Sequence, residues 1–219
     1  MAKLLISALP NAGKTSLLKG LKDSLVIAND GKQFPFHQPH INISEVTSAS
    51  GFIAEIDAGL DAYNNKFGNY PKIVVIDSIS KVLLDIESYY VSTISSFPYG
   101  QIGKDITELM SYIENELVKN GCSVIFVSHA MKDDDGYFKL VTSGGAAGKR
   151  GGVIADVDNA IYIEIKGKKR VIHYKNPKLL ARSLNEDLPE FVPIEDFNLQ
   201  DYMDNLIAND NTVDEWSLN

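Results

Sequence analysis

The stretch KLLISALPNAGKTSLL, residues 3–18, constrains this chain more than any other. A short apolar run (3–7) reads as a buried strand, a loop of small residues follows, and residues 14–22 read as the start of a helix. The loop matches the pattern G-x-x-x-x-G-K-[ST] at every fixed position except the first, where Ala8 stands. A loop that holds phosphate needs inward-pointing backbone N–H groups, a helix start behind them and side chains too small to block approach. Ala8, Leu9, Pro10, Asn11, Ala12, Gly13, Lys14, Thr15 and Ser16 are therefore the candidate nucleotide-contacting segment. In that reading Lys14 neutralises the β- and γ-phosphates of ATP and the Thr15 hydroxyl ligates Mg²⁺. The first glycine of the pattern serves a tight turn, which alanine can make where φ stays negative. A relaxed pattern of this kind also recurs by chance; its place straight after a strand and straight before a helix is what sets it apart.

A metal bound there wants a second acid at the end of a neighbouring strand. Asp77 closes the β-branched run KIVVID (72–77), whose composition is that of a strand buried on both faces. A strand-terminal Asp can equally cap the next helix, and DSISKVLL would accept such a cap. Ser78, not a glutamate, follows Asp77, so a water-activating base has to come from elsewhere if the chain hydrolyses its nucleotide.

Other segments fill in a strand–helix rhythm. Apolar runs at 24–28 and 41–43 read as strands, and Phe52, Ile53, Ile56, Leu60 and Tyr63 give 51–66 a helical face. Ile106, Leu109, Met110, Ile113 and Leu117 do the same for 103–120, before the apolar strand SVIFVSH, 123–129. The alternation predicts a three-layer α/β/α domain with a mostly parallel sheet. After residue 130 the pattern becomes antiparallel: a turn into an edge strand, the glycine-rich TSGGAAGKRGG, and a hairpin from NAIYIEI and RVIHY around KGKK.

Charge is unevenly spread. The net charge is −8, yet residues 185–219 hold ten acids and no Lys or Arg, whereas residues 149–182 carry nine bases against three acids. A basic region followed by an acidic tail points to a polyanion partner held in check or competed for. The reading is a core at 1–184 and an acidic tail at 185–219, with one helix carried by apolar positions 197, 199, 202, 203, 206 and 207 before a disordered end. Cys122 is the sole cysteine, and no run approaches a membrane span or a signal segment, so the expectation is a soluble cytoplasmic chain with Cys122 as a buried hydrophobe. The four histidines (37, 40, 129, 173) show no metal-ligand spacing, which leaves Mg²⁺ as the only metal expected.

In their order along the chain, ALPNAGKTS, KIVVIDS, the PYG ahead of the 103–120 helix, VIFVSHA and GGAAGKRGG…ADVDNAIYI resemble a group of bacteriophage proteins. These are short ATPases with a RecA-like P-loop core, often labelled AAA-domain or phage nucleotide-binding proteins, and the similarity covers roughly residues 3–182. The resemblance implies a RecA-like P-loop NTPase fold and a set of roles. Asp30, ending LVIAND, would stand where such ATPases keep their acidic general base, although it is shorter than the usual Glu. His129 would sense the γ-phosphate at the end of its strand, or be a structural His there. Lys149 or Arg150 would reach a neighbour's nucleotide, Arg150 as a finger in trans, or belong to a solvated loop.

The resemblance also implies single-stranded DNA as partner, gripped by loops near 85–102 and 142–152, in a homo-oligomer inside an infected bacterial host. Tyr89, Tyr90, Phe97 and Tyr99 would stack on bases or pack internally, and Lys166, Lys168, Lys169 and Arg170 form a basic turn suited to DNA, a neighbouring subunit or solvent. The tail resembles those of recombinases and single-strand-binding proteins, with Trp216 as an anchor for such a partner; a plain solubilising tail is the other reading. The leading function is thus an ATP-dependent recombination or strand-annealing factor. A small-molecule kinase and a non-hydrolysing regulatory nucleotide module stay open beside it.

Overall fold

A computed structural model describes residues 1–31, 34–94, 96–141 and 152–210. The strands are β1 (Lys3–Ala8), β2 (Ser24–Ala28), β3 (His40–Asn42), β4 (Ile73–Asp77), β5 (Ser123–Lys132), β6 (Phe138–Leu140), β7 (Asn159–Lys166), β8 (Lys169–His173) and β9 (Phe191–Pro193). They form one sheet in the order β3-β2-β4-β5-β1-β7-β8-β9, with β6 paired to the outer end of β5. Pairing is parallel from β3 through β7 and antiparallel for β7–β8, β8–β9 and β5–β6. The helices are α1 (Lys14–Leu17), α2 (Ala49–Phe67), α3 (Ile79–Thr93), α4 (Pro98–Tyr112), which runs on as a π-helical segment over Ile113–Val118, and α5 (Leu199–Asp210). This is the mixed α/β architecture with a mostly parallel central sheet that the strand–helix rhythm predicts, and it fits the P-loop NTPase fold that the resemblance implies.

Side-chain alternation along the strands divides the interior into two layers. In β1, Leu5 joins one core with Phe52 and Ile56 of α2, Val82, Leu83 and Ile86 of α3 and Leu109 of α4. Leu4 and Ile6 face the other, where they meet Leu18 and Leu21 beyond α1 and Leu199, Tyr202, Met203 and Leu206 of α5. Central strands are apolar on both faces because both faces are covered. Each such buried side chain contributes about 1.5–3 kcal/mol, which accounts for an acidic helix such as α5 being held to the sheet by its apolar stripe. Cys122 is buried at the entry to β5, and burial pushes its thiol up to about 12.

Several expectations need correction. The helix predicted over 14–22 is a single turn, Lys14–Leu17; the N–H groups of Leu18, Lys19 and Leu21 bond to carbonyls three residues back, and left-handed Gly20 (φ 85°) ends the element. The DNA-gripping loop predicted near 85–102 is mostly helix, within α3 and α4. Ile79, Val82, Leu83, Ile86 and Tyr90 continue one apolar face through it, and Pro98 opens the next helix at a position where its missing N–H costs nothing. His129 lies inside β5, not at its end, because the strand runs on to Lys132 and pairs with β6. Lys149, Arg150, most of the 142–152 loop and Trp216 lie outside the described residues. Among the described residues no helix is long and apolar enough to cross a membrane.

Candidate functional site

At the C-terminal edge of the sheet, β1 ends in Ala8, fully buried and registered opposite His129 of β5 and Ile163 of β7. Ala8 therefore completes a strand here; the left-handed residues of the loop are Asn11 (φ 63°) and Gly13 (φ 97°). Asparagine tolerates that region and glycine adopts it without steric cost. Lys14 is only 6% exposed. Its ammonium donates to the carbonyl oxygens of Ala8 (3.3 Å) and Leu9 (3.2 Å) and contacts His129 Nδ1 at 3.1 Å. An ammonium can only donate, so Nδ1 is the accepting ring nitrogen in this contact.

Thr15 is directed the other way, its hydroxyl donating to Asp77 Oδ2 at 2.7 Å. Asp77 is not the cap of α3: Ser78 is, accepting from the Lys81 N–H at 3.3 Å. Two residues that the sequence did not single out hold this junction. Buried Asn29 accepts the Ser78 N–H on its Oδ1 (2.8 Å) and donates its own N–H to the Asp77 carbonyl (3.1 Å). The Ser80 hydroxyl accepts from the His129 N–H at 3.1 Å and lies 3.1 Å from the Ser78 hydroxyl, tying β5 to the start of α3. No periodic or motif signal marks either residue; only the pairing of β2 with β4 and of β4 with β5 brings them in.

These groups line a cleft of about 340 Å³ walled by Asn11, Gly13, Lys14, Thr15 and Ser16 on one side and Asp30, Asp77 and His129 on another. Phe34, Pro35 and Arg170 complete it, none of which the sequence pattern placed there. Of the sequence-predicted site residues, Asn11, Gly13, Lys14, Thr15, Ser16, Asp30, Asp77 and His129 thus meet in one place; Ala8, Leu9, Pro10 and Ala12 do not border the cleft, and Arg150 lies outside the described residues. Thr15 and Asp77 offer hard oxygen donors 2.7 Å apart, a set that suits Mg²⁺ when phosphate oxygens and waters complete its shell. Among the described residues there is no cluster of three or more His, Cys, Asp or Glu that would hold a metal by itself.

The base-stacking set divides. Tyr90 packs against the core and its hydroxyl donates to buried Asp105 (3.3 and 3.4 Å), so it is structural. Tyr89, Phe97 and Tyr99 are exposed, Phe97 at 90%. Of the basic turn, Lys166 is paired with Glu164 at 3.1 Å and sits over the Phe191 ring, while Lys168 and Lys169 face solvent.

A strand that leads into a loop with a buried lysine, whose next residue meets the aspartate ending a second parallel strand, defines a P-loop nucleoside triphosphatase. The chain belongs to the AAA domain family, whose profile matches residues 1–182. That membership brings nucleotide binding, ATPase activity in general terms and the usual Mg²⁺. Among curated proteins none matches the sequence.

Proposed function

We propose that this chain is a Mg²⁺-dependent ATPase of phage origin that works on single-stranded DNA, as an oligomer, in recombination or strand annealing. The observation that carries the ATPase part is the 2.7 Å contact of Thr15 with Asp77 beside the buried ammonium of Lys14. Lys14 neutralises the β- and γ-phosphates, and Thr15 and Asp77 would hold Mg²⁺, which when bound would supply charge neutralisation on the phosphate oxygens. Asp30, on the cleft wall, orients the attacking water and takes its proton as the water oxygen bonds to the γ-phosphorus and the bond from that phosphorus to its bridging oxygen breaks, the electron pair leaving on ADP and the new P–O group on phosphate. His129, touching Lys14, reports γ-phosphate occupancy to β5 and, through its N–H, to Ser80. Arg150 would complete a neighbour's site.

DNA as partner draws support from the exposed aromatics Tyr89, Phe97 and Tyr99 and from Lys168 and Lys169 on the β7–β8 turn. We assign residues 1–184 to the ATPase core. In residues 185–219, β9 and the apolar face of α5 are bound into the same sheet and core, and it is the acidic outer face of this segment that competes with DNA or recruits a recombination or single-strand-binding partner in the host cytoplasm. ATP turnover measured with and without single-stranded DNA tests the reading: stimulation supports it, and turnover indifferent to DNA sinks the DNA part. A second reading, a nucleotide-binding module without turnover, is favoured by Ser78 standing directly after Asp77; ATP binding with no phosphate release would establish it.

A further inference from the structure

We propose that Arg170 is a phosphate ligand of the bound nucleotide, supplied by the same chain that supplies Lys14; this rests on the nucleotide site just described. The sheet puts it there. β7 runs parallel beside β1 with Ile163 opposite Ala8, so the chain leaves β7 at the level of the phosphate loop. The turn at Gly167 (φ 65°) reverses it, and Arg170, registered with Ile165, comes back over that loop. A Cβ placed on Gly13 would lie 2.8 Å from Arg170 Nη1 and 3.6 Å from Cζ, so the guanidinium rests against the bare Cα of Gly13. It also lines the same cleft as Lys14, Thr15 and Asp77.

The other bases of the turn do not share this position. Lys166 is held by Glu164, and Lys168 and Lys169 do not border the cleft. Among the described residues, the Arg170 guanidinium forms no ion pair with a carboxylate, which leaves its forked donors available to an incoming anion. A planar guanidinium binds phosphate oxygens two at a time, with geometry that an ammonium lacks. Lys14 from the buried side and Arg170 from the hairpin side together match the two negative charges left on ATP once Mg²⁺ is bound. The position beside Gly13, which precedes Lys14, favours a contact retained by ADP as well as ATP.

The test is nucleotide affinity, measured by calorimetry with ADP and with Mg–ATP on the full chain, for wild type, Arg170→Ala, Arg170→Lys and Lys14→Met. Arg170→Ala should weaken both nucleotides about 10- to 100-fold, as expected for loss of a charge-assisted fork, with Arg170→Lys intermediate. The side chain is exposed, so the melting temperature without nucleotide should not move. If Lys14→Met loses binding but Arg170→Ala stays within about threefold of wild type, Arg170 is no ligand while the nucleotide site stands. If wild type itself binds no nucleotide, the site as a whole falls. Mixing Arg170→Ala chains with Lys14→Met chains decides between cis and trans: no recovery of tight binding is expected, and recovery would mean that the arginine serves a neighbour.

Discussion

Replacing Lys14 by methionine separates what this residue does for nucleotide from what it does for the fold. The side chain is 6% exposed, and its ammonium contacts Ala8 O, Leu9 O and His129 Nδ1, among other groups. Methionine keeps the length and apolar stem, and removing a buried charge relieves desolvation while forfeiting those contacts. The two effects oppose each other, so unliganded stability should change by less than about 1 kcal/mol. Binding has no such compensation. One unit charge about 4 Å from a phosphate charge at an effective dielectric of about 20 is worth ~4 kcal/mol, and each ~1.4 kcal/mol is tenfold, so ATP affinity should drop about 10³-fold.

Thermal melting reads both quantities. ATP at about 100 times its dissociation constant stabilises by ~2.7 kcal/mol. In a chain of this size each kcal/mol moves the midpoint about 2–4 °C, giving wild type a rise of roughly 5–10 °C. Lys14→Met at the same ATP concentration should show none, with an unliganded midpoint close to wild type. An ATP-induced rise equal to that of wild type would refute the placement of phosphate at this loop; a collapse of the unliganded midpoint would refute the balance drawn between contact and desolvation.

Three further outcomes follow from neighbouring geometry. Thr15→Val removes the hydroxyl that meets Asp77 and should raise the Mg²⁺ concentration needed for half-maximal turnover about 10- to 100-fold; an unchanged magnesium titration would exclude Thr15 as a ligand. Gly13→Ala forces a Cβ into a left-handed residue at a cost of about 1–2 kcal/mol and pushes the Arg170 guanidinium aside, so the urea midpoint should fall, and an unmoved midpoint would contradict the φ of 97°. Burial pushes the Glu164 carboxyl up, but the hydrogen bonds from His173 (2.7 Å) and Lys166 outweigh it and hold the group below the usual carboxylate range. Its contribution is therefore present above the ordinary carboxylate value and is lost as pH falls through the lowered one. Glu164→Gln should cost about 0.5–1 kcal/mol at neutral pH and flatten the decline in stability between about pH 5 and pH 3; an unaltered acid limb would mean that the contact with His173 is worth nothing.

The central strands and the phosphate loop were legible because their signals are local: β-branched runs for β2, β4 and β5, and a glycine-lysine-threonine turn between strand and helix start. The apolar stripe at 199, 202, 203, 206 and 207 likewise announces α5. Reading the aromatic-rich 85–102 stretch as a loop gave Tyr89 and Tyr90 more weight than the helical spacing that Ile79, Val82, Leu83 and Ile86 had already set. Whether Asp77 or Ser78 caps α3 was undecidable from DSIS alone, since either side chain can accept that bond; the choice depends on Thr15 being within reach across the edge of the sheet. Arg170 was invisible as a cleft residue for a different reason. Locally it is one base in a polar turn, and only the return of β7 alongside β1, more than 150 residues apart in the chain, carries it over Gly13.

The placement of β5 between β1 and β4 has a consequence of its own. With strands about 4.8 Å apart, the partners of the Thr15–Asp77 contact spring from ribbons roughly twice that distance from each other, and the gap is gauged by a single intervening strand. A slip of β5 by one residue would turn His129 to the opposite face and shift its neighbours by about 3.3 Å. Were a triphosphate bound here as proposed, its seat would exist only in a correctly registered sheet: a misthreaded molecule would have none to offer.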